Sequence, residues 1–197
     1  MYGGRKRFAT TDAIQKLNDI VTNSSKNHTC FTALDIDGGF DHLDLERTCQ
    51  ILSAKDKHLA GWIWNWGCNR HTGYRFNGRT FRTFATDRGT PLGSPLSPIL
   101  FLVSIIRLVS TPPRSINDNK TSILTYVDDF LIATTYRHKA HGQAEHQDTI
   151  DRLTKGAHDL GYRLAVSKAE HIFIKTPRSE SVEPKLDGNV TKTEKTM

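Results

Sequence analysis

Apolar residues recur at three- and four-residue spacing through Ala13, Ile14, Leu17 and Ile20, which predicts a helix with Thr10 and Thr11 placed to cap it. Residues 23–27 are polar and read as a loop. The run at 30–36 is short and apolar and predicts a buried strand, ended by Asp37, Gly38 and Gly39. Leu43, Leu45, Cys49 and Leu52 mark an amphipathic helix, and a second helix is expected over 58–68 with Trp62, Ile63 and Trp66 on its apolar side.

Residues 74–84 predict a hairpin, because Asn77 and Gly78 form a strong turn signal between two polar and aromatic arms. The stretch 88–98 is rich in Gly, Pro and Ser and predicts a shaped loop. A helix should follow, with Ser97 as its cap, Pro98 at its first position, an end near Leu108 and a stop at Pro112 and Pro113. Over 123–134 two apolar runs flank Asp128 and Asp129, which predicts a hairpin with an acidic tip. A polar helix is expected over 139–160, with a core stripe at Ile150, Leu153, Ala157 and Leu160 and Gly161 closing it. Two more strands are expected at 162–166 and 172–175. From 177 onward the chain is charged and poor in large apolar residues, so a disordered tail is expected. The order predicts an α+β fold, an antiparallel sheet with helices on one face.

Composition narrows the class. The chain has 197 residues, 37% hydrophobic and 24% charged, enough for one core. Its formal net charge of +6 is compatible with a polyanionic partner. Cys30, Cys49 and Cys68 are widely spaced without a C-x-x-C pair, so reduced thiols are expected, and an intracellular protein with them. Cys68 and His71 have the spacing of half a zinc site, and His138, His141 and His146 read as a solvated helix face. No apolar run reaches the roughly 18 residues of a membrane span.

The candidate chemistry lies in the acids. Asp35 ends an apolar strand, and Asp128 and Asp129 sit between two apolar runs. Three carboxylates on neighbouring strand ends repel one another unless cations lie between them. Mg²⁺ takes one or two carboxylates together with substrate phosphates, and a metal pair can drive in-line displacement by a 3′-hydroxyl. Paired aspartates at a hairpin tip are also ordinary turn chemistry. The loop at 89–98 adds weight, because its Gly and Pro positions fix a backbone that exposes N–H groups and lets a nucleotide approach.

Together these segments resemble the reverse transcriptases. Residues 31–41 (FTALDIDGGFD) resemble motif A of that family, 88–101 (RGTPLGSPLSPILF) motif B, 126–129 (YVDD) motif C, and Leu160, Gly161 and Tyr162 with Ser167, Lys168 and Glu170 motif D. The style is that of non-LTR (LINE-type) retrotransposon enzymes, with group II intron enzymes as relatives, and the likeness spans about 4–176. It implies a polymerase palm with a remnant of fingers over 1–176 and a polar tail over 177–197. It implies RNA-directed DNA polymerisation with two Mg²⁺ ions (Mn²⁺ as the alternative), dNTPs, an RNA template and a DNA primer. No membrane and no small-molecule cofactor is implied, and a nuclear, cytoplasmic or mitochondrial setting is.

The resemblance also implies residue roles. Asp35 and Asp128 would be principal metal ligands with the Ile36 carbonyl, and Asp129 would complete the cluster. Phe40 falls at the position of an aromatic gate against the 2′-hydroxyl. Gly93 and Ser94 would contact substrate, and Lys168 would approach the triphosphate, although an exposed strand-end lysine reads equally well. Leu92 stands where the family has Gln, and Gly39 where Ala is usual. The upstream fingers elements and a thumb after motif D are not recognised, so the second expectation is a catalytically inactive retroelement remnant that binds nucleic acid weakly.

Overall fold

The computed structural model describes residues 9–24, 28–86, 88–110, 120–174, 184–190 and 192–193. In chain order its first elements are α1 (Thr10–Asn23), β1 (His28–Asp37), α2 (Leu45–Ser53), α3 (Lys57–Gly67), β2 (Arg70–Phe76) and β3 (Arg79–Thr86). Then come α4 (Leu96–Ser104), α5 (Ile106–Ser110), β4 (Lys120–Tyr126), β5 (Asp129–Tyr136) and α6 (Lys139–Asp159). The last are β6 (Arg163–Leu164), a 3-10 turn Val166–Lys168, β7 (Glu170–Ile174), β8 (Lys185–Leu186), β9 (Asn189–Val190) and β10 (Lys192–Thr193). The α+β class expected from the pattern is the one that forms. The chain divides into two compact units, one of residues 1–37 and 105–197, the other of 38–104.

The first unit is built on a sheet in the order β10-β7-β1-β5-β4, with β6 pairing the end of β1. Every pairing is antiparallel except β10 with β7, which is parallel. Side chains alternate across a strand, so β1 sends Phe31, Ala33 and Asp35 to one face and Cys30, Thr32 and Leu34 to the other. Helices cover both faces, a correction to the one-face expectation. Leu17, Ile20 and Val21 of α1 pack against Phe31, Leu124 and Ala133. Helix α6 packs on the opposite face, where His146 reaches Thr32 and Thr134. The sheet has too many apolar residues on each side to leave either to water.

The α6 face holds a second correction. His146 is only 1% exposed, not part of a solvated helix face. Its Nε2 lies 2.7 Å from Thr32 Oγ1 and its Nδ1 2.8 Å from Thr134 Oγ1. Thr134 Oγ1 is 3.0 Å from Thr121 Oγ1, which donates to Glu145 Oε1 at 2.7 Å. Each hydroxyl carries one proton, so the order follows. Thr121 donates to Glu145, Thr134 donates to Thr121, and His146 Nδ1–H donates to Thr134, while Thr32 Oγ1 bonds Nε2. Burial favours the neutral ring, in which Nε2 accepts from Thr32. Burial, then the field of His171, lowers its pKa to about 3.

Several boundaries differ from the pattern. The Asp12 carboxylate, not Thr10 or Thr11, caps α1 by accepting the Ala9 N–H at 2.6 Å. The turn of the acidic hairpin is Val127 and Asp128, so Asp129 is the first residue of β5 rather than part of a tip. Val127 takes φ +58, a left-handed conformation costly for a β-branched side chain. Within the tail expected to be disordered, Asp187 and Gly188 (φ +49 and +79) turn β8 into β9, and Leu186 is buried. Short polar sequence can still pair where a hairpin turn and one apolar contact hold it. Residues 4–8, 25–27, 112–113, 175 and the rest of the tail lie outside the described residues.

In the second unit, Asp44 caps α2 and Asp56 caps α3, each through its carboxylate. Ile63 is buried as expected, but Trp62 faces solvent. Asn77 and Gly78 (φ +47 and +75) form the expected two-residue turn of the β2–β3 hairpin. Helix α4 starts at Leu96, so Ser97 and Pro98 lie inside its first turn. The Ser94 hydroxyl accepts the Leu96 N–H at 3.3 Å and takes the capping place expected of Ser97. Ser97 Oγ instead donates to the Pro91 carbonyl at 2.7 Å.

Two tests follow from the α6 face. A Cβ at Gly142 would overlap the buried Tyr136 ring. Gly→Ala inside a helix ordinarily stabilises by up to ~1 kcal/mol; here Gly142→Ala should destabilise by about 1–3 kcal/mol through overpacking, read by urea unfolding. Burial depresses the pKa of His146 in the folded chain to about 3, against an ordinary value of 6.5. The unfolded chain then binds the extra proton, so this stability is present above about pH 6.5 and lost as pH falls toward 3, at up to ~1.4 kcal/mol per pH unit. His171 is lowered in the same direction by burial. The urea midpoint should drop between pH 7.5 and 5, and His146→Gln should flatten that slope; an unchanged slope would exclude a buried neutral His146.

Candidate active site

Strand register assembles the first unit's candidate residues. β1 and β5 pair so that Asp35 stands opposite Asp129, and Tyr126 pairs with Asp129 across the hairpin. Asp128 follows one residue earlier, in the turn. The Ala165 N–H donates to the Asp35 carbonyl at 2.8 Å, and Ile36 pairs with Leu164 of β6. These bonds hold the end of β1 where a free strand end would fray. The 3-10 turn then delivers Lys168, whose Nζ lies 2.6 Å from Asp35 Oδ2.

The electrostatics are those of crowded anions. Partial burial pushes the Asp129 carboxyl above its ordinary value, and the charges of Asp128 and Asp35 push it further, while Lys168 opposes them. The Lys168 ammonium is held above its usual value by its hydrogen bond to Asp35, then by the charges of Asp35, Asp37 and Asp128. Lys168 is thus the cation that this acidic cluster recruits from its own chain.

The donor set suits a hard divalent cation. Carboxylate oxygens are the ligands that Mg²⁺ prefers, and such ions are commonly bound by one or two carboxylates with the rest from water and substrate phosphates. Among the described residues no group of three or more His, Cys, Asp or Glu is gathered closely enough to hold a metal ion. Beside the acids runs a groove of about 460 Å³, lined by Ala13, Ile14 and Leu17 of α1 with Ala33, Tyr126 and Leu131 of the sheet. Its walls are mostly apolar and its carboxylates stand at one side, so it can take a flat or sugar-like group.

The second unit positions Phe40, Gly93 and Ser94 independently. Phe40 is half-buried, its ring centroid 5.2 Å from that of Phe101, and its carbonyl accepts the Thr90 N–H at 2.8 Å. Gly89 (φ +77) donates to the Leu43 carbonyl at 2.8 Å, and a Cβ there would lie 2.6 Å from the Asp41 carbonyl oxygen. Gly is therefore required for the loop to lie against the 40–43 segment. Gly93 takes φ +88 with open space around it. Leu92, where the sequence departs from motif B, is 75% exposed. The groove and the Asp35–Lys168 pair were not apparent from sequence, although Lys168 itself was singled out.

Among curated proteins none matches. A telomerase structure from Candida tropicalis, in complex with the TWJ fragment of telomeric RNA, is similar with a TM-score of 0.62 at 14% identity, covering 84% of this chain and 29% of that one. An apo telomerase from Candida tropicalis truncated from its C-terminal domain gives a TM-score of 0.46 at 14% identity, covering 86% of this chain and 36% of that one. The first likeness is one of fold, and this chain spans under a third of that telomerase chain. The sequence model described as "Reverse transcriptase (RNA-dependent DNA polymerase)" matches residues 3–192. With nearly the whole chain matched, the protein belongs to the reverse transcriptase (RNA-dependent DNA polymerase) family.

Proposed function

We propose that this chain carries the catalytic centre of an RNA-directed DNA polymerase of a non-LTR mobile element, acting inside the cell on a primed RNA template. The observation that carries the reading is the cross-strand pairing of Asp35 with Asp129, Asp128 in the adjoining turn, at the side of an apolar groove. Asp35 and Asp128, with the Ile36 carbonyl, would hold a pair of Mg²⁺ ions, and Asp129 would complete the negative field. Such ions, when bound, activate the primer 3′-hydroxyl and stabilise the departing pyrophosphate.

The chain's own residues supply the rest. The groove orients the nucleotide and keeps water from its apolar faces. Lys168 leaves Asp35 for the triphosphate, where its ammonium balances phosphate charge and is placed to give a proton to the leaving group. Phe40, steadied by Phe101, would crowd a 2′-hydroxyl and so favour dNTPs. Gly93 and Ser94 shape a loop whose backbone can approach the substrate. The exposed Leu92, which cannot hydrogen-bond where the family has Gln, favours the second reading, a remnant that retains the site without turnover.

Primer extension on oligo(dT)-primed poly(rA) with dTTP and Mg²⁺ decides between them. Extension by the wild-type chain should fall at least ~10³-fold in Asp128→Asn, because the variant loses charge stabilisation made in the transition state. Wild-type extension no greater than that of Asp128→Asn would establish the remnant. A second prediction isolates Lys168. Lys168→Met should lower extension roughly tenfold or more while the chain binds Mn²⁺ several-fold more tightly by paramagnetic resonance, since Asp35 is then released from its ion pair. Unchanged Mn²⁺ affinity would exclude competition between Lys168 and the metal.

A further inference from the structure

The β2–β3 hairpin has no role in the chemistry above, yet it carries the most unusual surface of the second unit. Tyr74, Phe76, Phe81 and Phe84 are 67%, 68%, 51% and 47% exposed. Aromatic residues on a strand ordinarily alternate into a core, and exposed patches of large apolar side chains mark interaction sites. Here the register places them together. Thr72 pairs with Phe84, Gly73 with Thr83 and Arg75 with Thr80, so Tyr74 opposes both Phe81 and residue 82 across a one-residue bulge. The extra residue shifts the alternation, and Tyr74, Phe76, Phe81 and Phe84 all fall on one face. The Tyr74 and Phe84 rings meet edge to face at 6.3 Å on that face.

Charge selects the partner. Residues 70–86 contain four arginines and His71, and no Asp or Glu. Arg70 is engaged within the unit, donating to the carbonyls of Gly67, Arg88 and Gly89, and so anchors the base of the hairpin to the loop that follows it. Arg79 shares the aromatic face by its pairing with Phe76, and Arg75 lies on the other. A second copy of this surface would meet like charge. An aromatic row edged by Arg79, on a hairpin without acidic residues, fits instead a polyanion that carries flat rings. Same-face residues on a strand stand about 7 Å apart, close to two stacked-base intervals of ~3.4 Å, which admits one base between two rings.

We infer that the exposed aromatic face of the β2–β3 hairpin binds single-stranded nucleic acid by base stacking, with Arg79 on the backbone phosphates. This surface needs neither the carboxylates nor a metal, so it stands or falls independently of polymerisation.

The test is fluorescence anisotropy of the full chain with labelled 15-mers of oligo(U) and oligo(dT), in EDTA. Both should bind within about tenfold of each other, and a duplex of the same length much more weakly. Tyr74→Ala and Phe76→Ala should each weaken binding roughly 5- to 100-fold, the range for loss of one stacked base, while Phe76→Tyr should retain it. Arg79→Gln should reduce the salt slope by about 0.7. Circular dichroism melts should be unchanged, since these side chains lie outside the core. Asp128→Asn should bind like wild type, which separates this site from the polymerase reading. Alanine variants that bind as wild type, equal affinity for duplex, or aromatic-dependent self-association without oligonucleotide binding would each overturn the inference.

Discussion

The antiparallel ladder between β1 and β5 is the constraint on which the site depends. Its register places Asp35 opposite Asp129, and a slip of one residue would send every side chain of one strand to the other face. The α1 face is apolar and permissive, with Phe31, Leu124 and Ala133 packed together. The α6 face is demanding. His146 bonds Thr32 of β1 and Thr134 of β5 at once, and only this register offers both hydroxyls to one imidazole. A slipped ladder would bury His146 without its partners, a cost on the order of 1–3 kcal/mol per orphaned group. The buried network therefore acts as a key for the register, and the register places the carboxylates.

The site itself is locally unfavourable, and the ladder holds it. Val127 sits in a left-handed conformation in the tight turn, and Asp129 is crowded by burial and by two neighbouring charges. Strained backbone and like charges persist only where the surroundings over-determine them. Here the surroundings are β4 and β5 on one side and the β6 pairing at the end of β1 on the other.

Much of this was legible along the chain. Apolar spacing located α1 and α6, continuous apolar runs located β1 and the acidic hairpin, and Asn77–Gly78 marked the other hairpin. The segment containing Asp35, the Gly- and Pro-rich loop and the paired aspartates together pointed to the family. What escaped was whatever depends on pairing between distant residues. His146 read as surface because burial was judged by residue type, although the threonines at 32, 121 and 134, set inside apolar strands, were the available sign of a polar core layer. Trp62 reads as core for the converse reason, because apolar type alone does not say which side of a helix is covered. The bulge at 81–82 decides which face the hairpin aromatics share, and a single inserted residue has no compositional mark. Asp187–Gly188 was a turn signal hidden by the charged tail around it.

The Asp35–Lys168 pair explains how such a site can exist in a folded chain and still accept a substrate. A cluster of carboxylates without a cation favours protonation or local opening. Lys168 relieves the repulsion from within the chain, in a short 3-10 turn held by its own backbone bonds. Because the pair is solvent-exposed, it is weak and rapidly exchanged. A buried arginine in the same place would hold Asp35 more firmly, and a divalent ion would then have to displace a desolvated bond. An exposed lysine on a flexible stem keeps the carboxylate oriented and, under the function proposed above, would surrender it to a stronger cation and meet the phosphates arriving with it.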